Sequence, residues 1–152
     1  MERRRRLVEL LPKAELHVHL EGTMTPMLAL DLACRNGHPL ARQGRDAMEA
    51  FYRHSDFPEF LQHFKALTEV LQYPADLYEL VRHYTHLARQ SAIVYAELHL
   101  SPLLHISDRM PYALMMRAIQ RGVEQAAWEG VQLRIILDAV RQSGGKGIVR
   151  PG

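Results

Sequence analysis

Polar and apolar residues alternate without a break over residues 15–21: Glu15, His17, His19 and Glu21 fall on one parity, and Leu16, Val18 and Leu20 on the other. A period of two marks a strand, in which residues i and i+2 project from the same face. The device returns over residues 93–100, where Tyr95, Glu97 and His99 oppose Val94, Ala96, Leu98 and Leu100. A third run, residues 131–140, is mostly apolar and carries Arg134 and Asp138 on one parity.

Between these runs the apolar spacing shifts to three and four, the helical period. Thr25 before Pro26 reads as an N-cap followed by proline at the first helical position. That helix should stop near Asn36-Gly37, and a weaker one covers residues 46–53. Asp56 caps a helix carrying Phe57, Phe60, Leu61 and Phe64, which is predicted to end at Tyr73-Pro74 because the residue before proline avoids the helical region. Asp76 caps the next helix, to about residue 90, and a last one spans residues 111–129 before Gly130. Strand, long helical insert, strand, helix, strand is an order that predicts right-handed βαβ units and a parallel sheet.

Composition narrows the setting. With 152 residues and 47% hydrophobic content, the chain can form one sizeable core. A net charge of +2 is too small to argue for a nucleic-acid partner, and the surplus is local: Arg3 to Arg6 lie in a basic tail over residues 1–10. No run approaches the ~20 apolar residues that span a bilayer, so no membrane partner is expected. The tail also lacks the apolar stretch of a signal peptide. Cys34 is the single cysteine, which fits a reducing, cytoplasmic setting. Residues 143–152 are glycine-rich and predicted to be irregular.

The chemistry is concentrated on the first strand. Imidazole nitrogens bind Zn²⁺ at roughly 2.0–2.1 Å, and two on the same face of one strand can converge on a single ion. An isolated His-x-His is more often a pair of exposed side chains. Here Glu21-Gly22 follows at once, which places the pair near the C-terminal end of the strand, where parallel α/β folds bind their ligands.

The stretch LPKAELHVHLEGTMTP, residues 11–26, resembles the opening signature of the adenosine/adenine deaminase family of the amidohydrolase superfamily. DFPEFLQHFKALTEVL resembles that family's helical lid, VYAELHLSP its second barrel strand and LRIILDAVRQ its third. The resemblance implies a (β/α)₈ barrel of the TIM type, of which this chain is an incomplete N-terminal part of about three strands with a helical lid insert. It implies zinc as cofactor, with His17 and His19 as the first two ligands. The activity implied is hydrolytic deamination of a 6-aminopurine nucleoside or base, a small-molecule purine substrate. Glu21 stands where many adenosine deaminases carry an aspartate that bonds the ribose 5′-hydroxyl. Phe57, Phe60, Leu61 and Phe64 match the apolar lid over the purine. Glu97 and His99 receive no role.

A complete barrel of this type takes ~250 residues or more. The family's later histidine and aspartate ligands, its catalytic glutamate and its second catalytic histidine have no counterparts here. No catalytic residue is therefore assigned within this chain, which alone is expected to be inactive and to bind zinc weakly. His38, His54, His63, His83, His86 and His105 lie outside the motif positions and are expected to be exposed or partly buried. Two other readings remain: an amidohydrolase acting on an amide or ester, and a non-catalytic half-barrel that works through a partner chain. Self-association, or pairing with a missing C-terminal half, is expected of an open sheet.

Overall fold

A computed structural model of the chain describes residues 2–139. The elements run α1 (Glu2–Leu10), β1 (Lys13–His19), α2 (Pro26–Arg35), α3 (Gly44–Phe51), α4 (Phe57–Thr68), α5 (Pro74–Gln90), β2 (Ile93–Leu100), α6 (Tyr112–Trp128) and β3 (Gln132–Leu137), with short 3-10 turns at Leu20–Thr23, Pro39–Gln43 and Pro102–Leu104. The strands form one parallel sheet in the order β1-β2-β3. The predicted extension of the third strand to Val140 and the glycine-rich residues 143–152 lie outside the described residues.

Alternation placed β2 correctly, and its burial follows the parity from Tyr95 on; Val94, at a register shift against β1, is exposed instead. Ala96, Leu98 and Leu100 are sealed in the core with Leu77, Leu80 and Val81 of α5 and Met115 and Ile119 of α6. Tyr95, Glu97 and His99 are only half-buried. Helices α5 and α6 pack closely: a Cβ on Gly122 of α6 would stand 2.8 Å from Val81 Cγ1 of α5. Glu129, just past α6, accepts from both Arg82 and Arg89 of α5.

Helix α4 stops at Thr68, short of the predicted Tyr73. The Thr68 hydroxyl turns back to donate to the Lys65 carbonyl at 2.7 Å. Such local bonding by threonine competes with helix continuation. Pro74 instead opens α5, where a missing N–H costs nothing. Asp76 sits inside that first turn, not at the cap position. Its Oδ2 accepts from the backbone N–H groups of Gln72 and Tyr73, both at 2.9 Å, and from Asn36 Nδ2 at 2.7 Å. Its Oδ1 accepts from Arg35 at 2.8 Å, so one buried carboxylate ties α2 to α5.

Residues 2–10, read from the sequence as a basic tail, are helical. The Lys13 ammonium donates to the carbonyls of Glu9, Leu11 and Ser91 at 3.0–3.2 Å. It thereby joins the chain entering β1 to the chain entering β2, at the end of the sheet away from the histidines. Among the described residues no helix is long and apolar enough to cross a membrane.

Candidate metal centre at the strand ends

Strand β1 does not keep its period. Glu15 pairs with Ala96 and Val18 with Leu98, so three steps on β1 match two on β2, and His17 takes a left-handed backbone with φ 59°. One extra residue in a strand is a β-bulge, which re-aims the side chains around it. A non-glycine residue held in this region costs roughly 1–3 kcal/mol and persists only when its surroundings fix it.

The bulge corrects the sequence reading that put Glu15 on one face with His17 and His19. Glu15 and Val18 both line a hollow against Tyr84, Leu87 and Ala88 of α5. The Tyr84 hydroxyl donates to Glu15 Oε2 at 2.6 Å; burial, then that carboxylate, push the phenol well above its usual range. Leu16, grouped by parity with Val18 and Leu20, is instead 62% exposed.

What the bulge delivers is a meeting of histidines. The His17 and His19 ring centroids lie 5.6 Å apart. His99, paired directly across from His19 on β2, stands 4.3 Å from His17 and 5.6 Å from His19. Behind His99, Asp138 at the end of β3 has Oδ2 3.9 Å from His99 Nδ1, and its other oxygen accepts from the Ser101 hydroxyl. The Tyr95 hydroxyl donates to Glu97 at 3.0 Å, which occupies the remaining polar pair on this strand. Among the described residues, no group of three or more His, Cys, Asp or Glu side chains could hold a metal ion. The donor type nevertheless suits zinc, because the cluster is made of imidazoles.

Glu21 lies just past β1 in the Leu20–Thr23 turn and is buried, with Oε1 2.9 Å from His105 Nε2. The sequence reading left His105 among the exposed or partly buried histidines, yet its side chain is fully enclosed. Its Nδ1 has no hydrogen-bond partner. The available signal was its place four residues beyond Ser101, past the C-terminal end of β2.

The aromatic stripe of α4 is not core. Phe57 is 67% exposed, Leu61 48% and Phe60 37%. Phe57 and Phe60 stack at 6.0 Å, and Phe60 meets Phe64 at 5.8 Å. Phe64 reaches the histidine motif: its Cε2 would lie 3.8 Å from a Cβ on Gly22, and His19 Cβ 3.9 Å from the same point. The structure therefore brings His17, His19, Gly22 and the inner end of the aromatic stripe together, while Phe57 and Leu61 remain open to solvent.

The other histidines stay apart from this cluster. His54 and His63 approach through their Nδ1 atoms at 3.0 Å, with His63 stacked on Phe51. His38 accepts from the Leu40 N–H, and His83 is held below the usual histidine range, first by burial and then by His86.

The adenosine deaminase family model matches residues 12–149. The chain is 34% identical over 132 residues to an adenine deaminase of Paraburkholderia xenovorans, a match that covers 87% of this chain and 38% of that protein. It is 37% identical over 135 residues to an aminodeoxyfutalosine deaminase of Acidothermus cellulolyticus, covering 88% and 38%. A zinc-bound amidohydrolase from Burkholderia ambifaria superposes with a TM-score of 0.76 at 29% identity, over 88% of this chain and 37% of that one. The chain thus spans under two fifths of the length of the relatives it matches, and its three parallel strands form an incomplete N-terminal part of a barrel of their type.

Proposed function

Because this chain belongs to the adenosine deaminase family, we propose that it supplies the first part of the active site of a zinc-dependent hydrolase that deaminates a 6-aminopurine nucleoside or base. The observation that carries the reading is the His17–His19 pair, placed by the bulge at the C-terminal end of β1, where barrel enzymes keep their chemistry. His17 and His19 would hold the ion. Zinc in such sites lowers the pKa of a bound water to about 7, which supplies hydroxide at neutral pH.

The chain's own residues then have three tasks. His17 and His19 would offer imidazole nitrogens to the ion. Phe57, Phe60, Leu61 and Phe64 offer an apolar cover beside the motif, suited to a flat purine and to excluding water from it. Glu21, which the family resemblance makes a substrate contact, is held by His105 in the turn that follows the histidine motif. The proton donor for the purine ring and the remaining ligands of the family pattern would come from a further segment or partner, so this chain alone is inactive. A cytoplasmic setting suits such a purine-converting enzyme.

The test is complementation. The purified chain, alone and mixed with the part of the Paraburkholderia xenovorans adenine deaminase that follows the matched region, is incubated with zinc and adenine, adenosine or aminodeoxyfutalosine. Loss of the 6-amino chromophore only in the mixture, abolished by His19→Ala, supports the reading. Zinc-dependent turnover by the chain alone, or a mixture indifferent to His19→Ala, overturns it.

A further inference from the structure

We propose that the outer face of α6 docks a second copy of this chain, the two helices lying antiparallel about a two-fold axis level with Gly122 and Val123. The inference does not depend on the metal reading, because this face points away from Met115, Ile119 and Ala126, the side of α6 that is buried.

Three observations support it. Arg117, Arg121, Glu124 and Trp128 are all exposed and follow one another by four, three and four, which puts them on one stripe of the helix. Trp128 is 91% exposed, the most open large apolar side chain among the described residues. Indoles are ordinarily well buried, and Trp, Tyr and Arg are the side chains that anchor protein interfaces. The face is also built in advance. The Arg121 guanidinium lies 5.2 Å over the Tyr78 ring, the Tyr78 hydroxyl donates to Gln125 at 2.7 Å, and with Glu124 and Trp128 these side chains line one shallow hollow. Glu129, the residue after Trp128, is paired to Arg82 and Arg89 of α5, which pins the end of the helix. Groups already held in place lose less freedom on docking. The third observation is the register of charge, and it selects the occupant. In the antiparallel pair, Arg121 of each copy faces Glu124 of the other, and Trp128 of each faces Arg117, a cation over an indole. A two-fold interface needs such self-complementarity. A stripe of one sign would repel its own copy.

Trp128 is the one tryptophan of the 152-residue chain, so its fluorescence reports this face alone. Wild-type protein is titrated beside Leu16→Lys, in which a charge on the edge strand discourages association through the sheet. As concentration rises, both should show a blue shift of emission and weaker quenching by acrylamide, in step with a doubling of mass by light scattering. Trp128→Ala should weaken the dimer more than about tenfold. Arg121→Glu and Glu124→Arg should each weaken it, by setting like charges face to face. Mixing those two variants should restore pairing, because their stripes are then complementary. A rise in mass with unchanged emission overturns the proposal and assigns association to the sheet edges. A shift of emission without a rise in mass, a chain monomeric at every concentration, or a mixture that pairs no better than its components also overturns it. Should a charge variant lose its circular dichroism, the wild-type and Leu16→Lys titrations decide alone.

Discussion

Glu21 and His105 meet at 2.9 Å with both side chains sealed from water, 84 residues apart in sequence. The contact joins the turn after β1 to the turn after β2. Removing His105 leaves the Glu21 carboxyl buried without its partner, a loss of about 1–3 kcal/mol. His105→Ala should therefore lower stability towards chemical denaturation by about that amount. Replacing both residues by apolar ones of similar volume, as in Glu21→Leu with His105→Leu, should recover much of it. A single mutant as stable as the wild type would show that the pair is not closed in solution.

The contrast between β1 and β2 explains what the sequence could disclose. From Tyr95 on, strand β2 keeps its alternation in register with β3, so its two faces there follow from parity; at its start Val94 is the extra residue opposite Lys13 and Ala14 and is exposed. In β1 the same parity misleads, because the bulge at His17 is set by tertiary pairing with β2 and a histidine carries no glycine-like signal for positive φ. His99 and His105 went unassigned for a related reason: each acquires its meaning from a residue some 80 positions away. The caps were legible where they are local, as at Thr25 and Asp56. Asp76 was legible only as a helix-start residue, and its bonds to Arg35 and Asn36 were not.

That carboxylate offers a second measurement. Asp76 is 1% exposed and accepts from two side chains and two backbone groups. Hydrogen bonds to a charged group contribute about 1.5–3 kcal/mol each when broken singly, and they are not additive within one network. Asp76→Ala should cost on the order of 3 kcal/mol. Arg35→Ala should cost about 1 kcal/mol or less, since that side chain is half exposed and screened. Equal effects of the two would locate the stabilisation in the ion pair and not in the capping bonds.

Helix α4 should respond to acid. Glu59 accepts from the Ser55 hydroxyl and backbone N–H, both at 2.6 Å, and these bonds hold its carboxyl below the ordinary glutamate value. A folded-state value below the unfolded one means that the contribution is present above the unfolded value and disappears as pH falls through the folded one. Amide exchange at the start of α4 should therefore quicken on acidification through and below the usual carboxylate range. Ser55→Ala should move that change to higher pH. An α4 whose exchange ignores Ser55→Ala would remove this bond from the account of how the aromatic helix is anchored.

The α5–α6 contact gives a packing test. A Cβ at Gly122 would lie 2.8 Å from Cγ1 and 2.9 Å from Cβ of Val81, which is itself fully buried. Overpacking of this kind costs about 1–3 kcal/mol, so Gly122→Ala should destabilise although alanine is the better helix former. Val81→Ala removes the Cγ1 contact but keeps its own Cβ at 2.9 Å, so the double mutant should regain part of the loss and be somewhat more stable than the sum of the single losses predicts. Strict additivity would mean that the helices separate freely and that the close approach is not required.

The last prediction concerns the sheet as a whole. Among the described residues, β1 and β3 each pair on one side only, which leaves two rows of backbone donors and acceptors without strand partners. Parallel sheets are ordinarily covered on both faces, and barrel closure removes their edges. Here α5 and α6 cover one face, while Leu16 is 62% exposed and the half-buried Ile136 lies on the parity of Arg134 and Asp138. Exposed edges of this kind recruit other strands. The purified chain should accordingly self-associate in a concentration-dependent way, or show weak amide protection in β1 and β3 beside strong protection in β2. Leu16→Lys should reduce association without loss of helix content, because the side chain is already in water and a charge discourages edge pairing. Light scattering after size-exclusion chromatography, combined with amide exchange, reads both effects. A monodisperse monomer with all three strands strongly protected would refute the prediction and show that these edges are covered in solution by the chain itself.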